Sequence, residues 1–468
     1  MWKEAERKAG ELEEKLREEK QKRQKLEAQL AKYHEKIFKP NKETDDESLT
    51  DEDVAAEPSE KGKTRKKPGA KLGHPGTTRK KPDTIDEEIE VSLEQCPNCG
   101  GTDLRKLKKT RDHTQEDIVL LAPRATRFVK QLYYCPGCKG EVCGTGENEI
   151  PNAYIGPTAR ALAAALRYES RVPYRQVESL FREVFGLRLT PGALVGFDHK
   201  LTARGQPWYE FLKNHVKSAP HIHADETGWR VDGINHYLWI FNNSRLALYH
   251  INRHRSSDIP KDILGENYDG ILITDCYCGY NPINAREKQK SLSHLLRDNH
   301  ALAATYPDDA QTQRFTATFK EYMKYALQLQ KTFREKKITR LQLNHAADFL
   351  KERFWDFVEQ PLENQDVDTF RKRLITHKKA IFTFLTHTSI DATNNRAERG
   401  LRPSVIMRKV TFGNRSPTGS TNHETLMSLI QTAKLNGTRP LTLLSNLANG
   451  CDDERFKELL IDLDPSPT

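Results

Sequence analysis

The chain has 468 residues, of which 36% are hydrophobic and 30% are charged, and its formal net charge is +9. This length allows roughly two to four domains of about 100–200 residues each. The excess of Lys and Arg makes nucleic acid the default partner. No apolar run approaches the roughly 20 residues that a transmembrane helix needs, and the N-terminal stretch "MWKEAERKAGELEEK" is too charged for a signal peptide. We therefore expect a cytoplasmic, nucleoid-associated protein without a membrane segment.

Residues 1–40 are predicted to form a coiled coil. The apolar residues alternate in steps of four and three, and Glu19 and Arg23 interrupt the seam; the stripe comprises Ala5, Ala9, Leu12, Leu16, Leu26, Leu30, Tyr33 and Ile37. Such a stripe is buried only against another helix. The pattern predicts a homodimer or a higher oligomer, with a single solvated helix as the alternative.

Residues 41–82 read as a charged flexible linker. The first half is acidic, "NKETDDESLTDEDVAAEPSE", and the second half is basic, "KGKTRKKPGAKLGHPGTTRKKP". Neither half has enough apolar residues to build a core. The basic half either lies along a phosphate backbone, held by charge, or serves only as a spacer.

Residues 83–150 are predicted to be a zinc-binding domain with a ribbon-like finger. Two Cys-x-x-Cys pairs, Cys96 with Cys99 and Cys135 with Cys138, supply four thiolates for the tetrahedral site that Zn²⁺ prefers. Paired cysteines in a chain without an export signal indicate metal binding under reducing conditions. Cys143 is an alternative ligand, and free or redox-active thiols are the alternative interpretation.

Residues 151–215 are predicted to be a helical DNA-binding segment. Pro157 follows Gly156 and Pro191 follows Thr190, and each pair is a typical helix start. Gly186 breaks the helical pattern between them. The result is similar to a helix-turn-helix, whose second helix can enter a major groove. Two packed helices with no role in nucleic-acid binding fit the pattern equally well.

Residues 216–415 are predicted to form an α/β domain with a ribonuclease-H-like mixed sheet. Three strand candidates, "HIHADETGWRV", "NHYLWIFNN" and "LALYHIN", are followed by a short helix and a buried strand, "GILITDC". An all-helical insertion at about 300–390 interrupts this domain. A further helix over 391–403 is predicted to end at Pro403, and residues 416–468 are read as a mixed strand-and-helix tail.

The helical insertion is recognised by its apolar face. The residues on this face step by four and three along the chain; they are Phe315, Phe319, Tyr322, Ala326, Leu329 and Phe333. This is the spacing of one face of an α-helix.

Three acidic residues are candidates for chemistry. Asp225 lies in the first strand, Asp275 follows the fourth strand, and Glu398 lies on the late helix. If the first and fourth strands are neighbours, the two aspartates come side by side, and a helix across that edge can add Glu398. Glu226 is a rival for Asp225, but alternation along the strand points it to the opposite face.

A cluster of three carboxylates would need a cation. At an effective dielectric constant near 20, each pair of charges about 4 Å apart costs on the order of 4 kcal/mol. Oxygen ligands suit Mg²⁺ or Mn²⁺, and two such ions promote in-line displacement at a phosphate. The alternative for Glu398, which lies in a run of arginines, is a solvated salt bridge on a helix face.

The stretch "NNRAERGLRPSVIMRKVTFGNRSPTGSTNHETLMSLIQTAKLNG", over 394–437, resembles the transposases of the insertion sequence 66 family. The segments "ADET" and "TDCYCGYN" look like the two aspartate motifs of that family. The segment "PGAKLGHPGTTRKKP" is similar to its glycine-histidine segment, and the stretch from Cys96 to Cys138 to its zinc finger. The family usually has Cys-Trp-Ala-His-x-x-Arg where this chain has "SLSHLLR", which keeps His294 and Arg297 without the tryptophan.

The resemblance implies a DDE transposase that catalyses DNA end cleavage and strand transfer of an insertion sequence. It implies Asp225, Asp275 and Glu398 as the catalytic residues that bind Mg²⁺ or Mn²⁺, and an all-helical insert before the glutamate. The expected DNA contacts are Arg396, Arg399, Arg402, Arg408 and Lys409, with His294 and Arg297 at the scissile phosphate. For the last two residues, a plain helix surface is the alternative.

The partners implied are transposon-end DNA and target DNA; the sequence leaves open whether small accessory proteins of the same element take part. One rival interpretation is a catalytically silent zinc-finger DNA-binding protein derived from such a transposase. Another is a ribonuclease-H-like nuclease that acts on a different substrate. No Walker-type phosphate loop occurs in the sequence, which disfavours a nucleotide-driven motor.

Overall fold

The structure, a computed structural model, describes residues 123–451 and 453–460, together with positions 85 and 102. The predicted coiled coil over 1–40 and the predicted linker over 41–82 lie outside the described residues, as do Cys96 and Cys99. The part of the predicted zinc domain that is described contains a two-stranded antiparallel hairpin of β1 (Leu132–Cys135) and β2 (Gly140–Cys143).

Three helices follow the hairpin: α1 (Pro157–Tyr168), α2 (Tyr174–Phe185) and α3 (Pro191–Ser218). Gly186 ends α2 with a φ of 66°, a left-handed conformation that glycine adopts at little cost. Thr190 caps α3 by accepting a 3.2 Å hydrogen bond from the Ala193 amide. The predicted helix, break and second helix are therefore confirmed, and these helices share a small apolar core that includes Val177 and Phe181.

The central sheet has five strands in the order β5–β4–β3–β6–β7. The elements are β3 (His221–Val231), β4 (Ile234–Asn242), β5 (Ala247–Asn252), α4 (Asp258–Leu264), β6 (Asn267–Thr274) and β7 (Asn284–Lys290). The first three strands are antiparallel, whereas β6 runs parallel to β3 and β7 parallel to β6. This mixed sheet is compatible with the predicted ribonuclease-H-like fold, and the expected pairing of the first and fourth strands is confirmed.

Strand β7 was not predicted, because its sequence "NAREKQK" has no apolar alternation. Polar contacts hold it at the sheet edge instead. The buried Lys290 ammonium donates to Thr274 Oγ1 at 3.0 Å and to the Asp275 carbonyl at 2.8 Å. The buried Gln289 amide donates to the Ile381 carbonyl at 3.0 Å and accepts from the Phe384 amide at 3.0 Å. Strand β7 is thus fixed by tertiary hydrogen bonds, which the local sequence pattern cannot predict.

The predicted insertion is helical. It contains α5 (Leu292–Thr305), α6 (Ala310–Arg334), α7 (Arg340–Glu359), α8 (Gln365–Thr376) and α9 (Thr383–Thr386). The predicted apolar face lies on α6, where Phe315, Phe319 and Ala326 are buried. Their core also includes Ile271 and Ile273 of β6, so the insertion packs directly on the sheet.

The prediction that Pro403 ends the next helix is wrong. Helix α10 (Asn395–Thr411) continues past Pro403 for two further turns. A proline inside a helix removes one backbone hydrogen bond. Burial of Ser404 and Met407 stabilises the continuation, and the Tyr249 hydroxyl donates at 2.6 Å to the carbonyl of Gly400, in the turn before the proline.

The prediction of a mixed strand-and-helix tail is also wrong for the described residues. They form α11 (Pro417–Leu435), α12 (Pro440–Asn449) and α13 (Asp453–Leu460). The buried residues of α11 pack in the main core with the sheet, and the Ser428 hydroxyl accepts a 2.8 Å hydrogen bond from the Tyr249 amide of β5. The tail is therefore part of the domain core. In the part of the chain that is described, no helix has both the length and the apolar character to span a membrane.

The same substitution at two helical glycines should have opposite effects on stability. A Cβ atom at Gly400 of α10 would lie 2.4 Å from Ile240 Cδ1 and 2.8 Å from Asn242 Nδ2, whereas a Cβ atom at Gly196 of α3 would meet nothing within 4 Å. We expect Gly400→Ala to lower the free energy of unfolding by about 1–3 kcal/mol. Gly196→Ala should raise it by about 0.5–1 kcal/mol. Urea unfolding of both variants tests this; equal effects would contradict the close approach of α10 to β4.

Asp198 should make stability fall as pH rises. Its buried carboxyl accepts from the Tyr168 hydroxyl at 3.0 Å and from the Tyr174 hydroxyl at 2.5 Å. Burial outweighs these bonds and raises the pKa of Asp198 to about 6. Between pH 4 and pH 6 the unfolded chain loses this proton while the folded chain keeps it. The contribution of Asp198 to the free energy of unfolding is therefore favourable at low pH and is lost by about pH 7.

Asp198→Asn should remove this dependence. Two pKa units correspond to about 3 kcal/mol, so the free energy of unfolding of the variant, relative to the unsubstituted chain, should rise by that amount between pH 4 and pH 7. Urea titrations at several pH values measure it. Asp269→Asn, at an exposed position on β6, is the control and should give a constant difference; a constant difference for Asp198→Asn would contradict the prediction.

Candidate active site

Parallel pairing of β3 with β6 places two aspartates near the carboxyl end of β6. We call this part of the molecule the acidic edge. In this ladder His223 lies opposite Ile273. Asp225 lies two residues beyond His223, and Asp275 directly follows Thr274, the last residue of β6. Asp225 and Asp275 are therefore side by side on neighbouring strands, as the sequence predicted.

Asn394 ties helix α10 to this edge. Its side-chain Nδ2 donates to the carbonyl of Ala224, the residue before Asp225, at 2.9 Å. Its backbone amide donates to Ser291 Oγ at 2.9 Å, and its carbonyl accepts from the Glu398 amide at 3.2 Å. The first turn of α10, which contains Glu398, is thereby fixed against the strand that carries Asp225.

The other two acids both act on Asp225. Burial raises the pKa of Asp225 well above its usual value, and the charges of Glu226, Asp275 and Glu398 raise it further. The Oε1 atom of Glu398 is buried without a hydrogen-bond partner in the described part of the chain, and His294 Nε2 lies 3.4 Å from it. The ionised form of Asp225 is therefore destabilised in this part of the structure.

Glu226 has other partners. Its carboxylate accepts hydrogen bonds from Arg255 Nε at 2.9 Å, from Arg255 Nη2 at 2.6 Å and from the Tyr280 hydroxyl at 2.5 Å. Its side chain is only 2% exposed. Because these donors occupy the carboxylate, Glu226 is a weaker candidate for a metal ligand than Asp225.

The carboxylate oxygens of Asp225, Asp275 and Glu398 suit a divalent cation, although the three side chains do not form a preformed cluster. Among the described residues, no three His, Cys, Asp or Glu side chains are grouped closely enough to hold one ion. Asp225 Oδ1 accepts from the Glu226 amide and Asp275 Oδ1 from the Tyr277 amide, both at 2.9 Å. However, a hard cation prefers carboxylate oxygens, and it would offset the charge cost at Asp225 and satisfy the unpartnered Glu398 oxygen.

The basic residues predicted to contact DNA fall into two groups. Arg399, Arg402 and Lys409 are exposed on α10, and Arg297 is exposed on α5. In the other group, Arg396 Nε lies 3.5 Å from Asp391 Oδ2, and Arg408 Nη1 donates to Thr227 Oγ1 at 3.3 Å. His294 contacts Glu398 rather than standing alone on a helix surface.

The Leu292 side chain is fully buried at the position where the resembled family has tryptophan. Its amide donates to the Ala392 carbonyl at 3.0 Å. The smaller side chain still packs in the core between the insertion and the segment that leads to α10, and it precedes His294 by two residues.

Half of the predicted zinc site is described. Cys135 ends β1, and Cys138 lies in the turn to β2. Hydrogen bonds from the Cys138 backbone and side chain and from the Gly137 backbone lower the pKa of the Cys135 thiol, which is the environment that favours a thiolate ligand. Cys143 lies on β2 and is exposed. With Cys96 and Cys99 outside the described residues, the zinc site stays a prediction.

Sequence reasoning missed the residues that support the acids. Asn394 was within the motif, but nothing in its spacing indicated a bond to β3. His223 is buried, its Nδ1 lies 3.3 Å from Asn394 Oδ1, and burial lowers its pKa to about 3. It therefore stays neutral between the strand and the helix. Arg255 gave no sequence signal beyond its basic neighbours.

Asn394→Ala should destabilise the domain. It removes the donor to the Ala224 carbonyl and the contact with buried His223, which typically costs about 1–3 kcal/mol. Asn446→Ala, which removes a bond to the Thr442 carbonyl within helix α12, is the matched control and should stay within about 0.5 kcal/mol. Urea unfolding measures both; an equally small effect at Asn394 would show that its bonds do not hold α10 in place.

Comparison with protein-family models gives a match between residues 152–422 and the model described as "Transposase IS66 family". This match covers more than half of the chain. Similar proteins include "Uncharacterized protein y4hP" of Sinorhizobium fredii, which is 22% identical over 460 residues, 89% of this chain and 81% of the relative. "Uncharacterized protein y4qI" of the same organism is 26% identical over 398 residues, 77% of this chain and 71% of the relative.

Proposed function

Because the chain belongs to the IS66 family of transposases, we propose that it is a metal-dependent enzyme that cuts the DNA ends of an insertion sequence and joins them to target DNA. The observation that carries the proposal is the arrangement of Asp225, Asp275 and Glu398. The proposal is supported by the proximity of Asp275 and Glu398 to Asp225, because their charges raise the pKa of Asp225.

The sheet order and strand directions support a ribonuclease-H-like catalytic domain. The central strand β3 has antiparallel β4 on one side and parallel β6 on the other. Acids on neighbouring strands, with Asp225 within β3 and Asp275 directly after β6, and with Glu398 on a helix, match the arrangement that the family resemblance implies. The helical insertion lies between β7 and α10, before the glutamate.

In this proposal Asp225, Asp275 and Glu398 hold Mg²⁺ or Mn²⁺. Such ions, when bound, activate an attacking oxygen and stabilise a leaving oxygen in phosphoryl displacement. Water attacks a phosphodiester at the end of the element, which releases a 3′-hydroxyl. That hydroxyl then attacks a phosphodiester of the target, forming one new bond and releasing one target 3′-hydroxyl. Asn394 and His223 keep Glu398 at the edge during both steps.

The exposed bases around the edge are proposed to contact the DNA backbone. Arg399, Arg402 and Lys409 follow one another along α10, and Arg297 lies on α5 beyond His294. Contacts from Lys and Arg to phosphate supply affinity without reading sequence. Arg396 and Arg408 have protein partners and are proposed to contact DNA while staying attached to Asp391 and Thr227. His294 is proposed to contact the scissile phosphate beside Glu398.

A second candidate function is a catalytically silent DNA-binding protein derived from such a transposase. One observation favours it: among the described residues no preformed group of three metal-binding side chains exists. Zinc binding by Cys96, Cys99, Cys135 and Cys138, and dimerisation through residues 1–40, belong to either candidate.

Replacing any of the three acids should separate cleavage from binding. We expect Asp225→Asn, Asp275→Asn and Glu398→Gln to reduce Mg²⁺-dependent nicking of a duplex that carries the element's ends to below about 1% of the original rate. Loss of a metal ligand should exceed the roughly 10–100-fold effect of an outer-shell residue. Gel-shift affinity for the same duplex should stay within about twofold, because phosphate contacts dominate affinity. Nicking is followed with end-labelled DNA on denaturing gels.

Asp269→Asn is the matched control, because Asp269 is exposed on β6, the strand that precedes Asp275. This variant should nick normally. Near-normal strand transfer by any of the three variants would remove that residue from the proposed triad. If the unsubstituted protein binds element ends but makes no nick with Mg²⁺ or Mn²⁺, the silent DNA-binding protein is the correct interpretation.

A further inference from the structure

The loop after β5 presents an arginine that a buried carboxylate holds in a fixed orientation. Arg255 donates two hydrogen bonds to Glu226, through Nε at 2.9 Å and Nη2 at 2.6 Å. The Glu226 side chain is 2% exposed and also accepts from the Tyr280 hydroxyl. Three donors therefore orient this carboxylate, and it in turn orients the guanidinium.

Tyr277 fixes Arg255 from a second direction. The guanidinium carbon lies 4.0 Å from the centroid of the Tyr277 ring, a stacking distance that favours a cation over an aromatic face. The Tyr277 hydroxyl donates to the Arg255 carbonyl at 2.7 Å. Side chain and backbone are thus both held, so little conformational entropy remains to be lost when a ligand binds.

The guanidinium is nevertheless accessible. The Arg255 side chain is 43% exposed, and its Nη1 has no hydrogen-bond acceptor in the described part of the chain. The edge of the guanidinium that carries Nη1 is therefore available to an anion, while the opposite edge is bonded to Glu226. Neighbouring Arg253 and His254 are also exposed.

The position of Arg255 connects it to Asp275, whose charge acts on the guanidinium. The Tyr277 amide also donates to Asp275 Oδ1 at 2.9 Å. A phosphodiester that approaches Asp225 and Asp275 meets negative charge, and a fixed guanidinium near Asp275 offsets that repulsion. Arginine suits this position because its planar group can bond phosphate and carboxylate at the same time.

We propose that Arg255 binds a DNA phosphate next to the scissile bond, and that Glu226 is the positioning residue that aims it. This inference rests on the proposed function. The alternative role for Arg255 is that of a counter-ion for buried Glu226, with no contact to DNA.

Neutral substitution of single phosphates tests the proposal. A set of element-end duplexes, each with one methylphosphonate near the cleavage position, is nicked by the unsubstituted protein and by Arg255→Ala under single-turnover conditions. We expect one methylphosphonate position to slow the unsubstituted protein roughly 10-fold or more, and to have no additional effect on Arg255→Ala. Arg253→Ala, the neighbouring exposed arginine, is the control and should keep the full sensitivity at that position.

Two further variants distinguish the effect of the orientation of Arg255 from the effect of its charge. Arg255→Lys keeps the positive charge, so the slope of log affinity against log salt should stay unchanged, whereas Arg255→Ala should lower its magnitude by about 0.9 for the lost phosphate contact. The nicking rate of Arg255→Lys should still fall, because an ammonium cannot bond Glu226 through two nitrogens. Glu226→Gln should slow nicking to an intermediate extent without changing the salt slope.

The outcomes separate this inference from the proposed function. If every methylphosphonate position affects the unsubstituted protein and Arg255→Ala equally, Arg255 is only a counter-ion and the inference is overturned while the transposase proposal stands. If the unsubstituted protein makes no nick, the proposed function fails, and the salt slope of end binding by Arg255→Ala still decides whether Arg255 contacts phosphate. If Arg255→Ala does not fold, Arg255→Gln, which also removes the positive charge, replaces it in the methylphosphonate series, where loss of sensitivity at the one position is the supporting result.

Discussion

Parallel pairing of β3 with β6 is the constraint on which the site depends. Because His223 lies opposite Ile273 in this ladder, Asp225 and Asp275 emerge at one edge although they lie far apart in the sequence. A shift of one residue in either strand would send one carboxylate to the other face of the sheet. The helix that carries Glu398 is then attached to the same strand through Asn394, so one register sets the position of all three acids.

Holding acids together is electrostatically unfavourable, and the surrounding residues limit the cost. Lys290 places its buried ammonium on the Asp275 carbonyl, and Arg255 pairs with Glu226 and offsets part of the charge that Glu226 adds beside Asp225. Burial still raises the pKa of Asp225. Carboxyl groups whose ionised form is disfavoured in the folded protein lower its stability at neutral pH, and such groups cluster at functional sites.

Much of the fold was predictable from local pattern, and the failures share a cause. Strands β3, β4 and β6 have apolar content that local reading detects, and Gly186 and Thr190 mark helix ends by their own backbone chemistry. Strand β7 depends on contacts of Gln289 and Lys290 with distant segments. Helix α10 continues past Pro403 because Met407 is buried, and the tail is helical because it covers β5. In each failure, tertiary contacts outweighed the local signal.

The residues of the candidate site were likewise only partly predictable from the sequence. The adjacency of Asp225 and Asp275 followed from the predicted strand pairing, whereas the catalytic role of these residues and of Glu398 comes from the family resemblance and stays a prediction. Arg255 could not be found by either route, because its orientation comes from Glu226, 29 residues away in sequence, and from the ring of Tyr277. An exposed arginine on a loop is ordinarily a mobile surface charge. A buried carboxylate on one edge and an aromatic ring on one face turn it into a fixed cation, and only the folded structure brings those two groups to it.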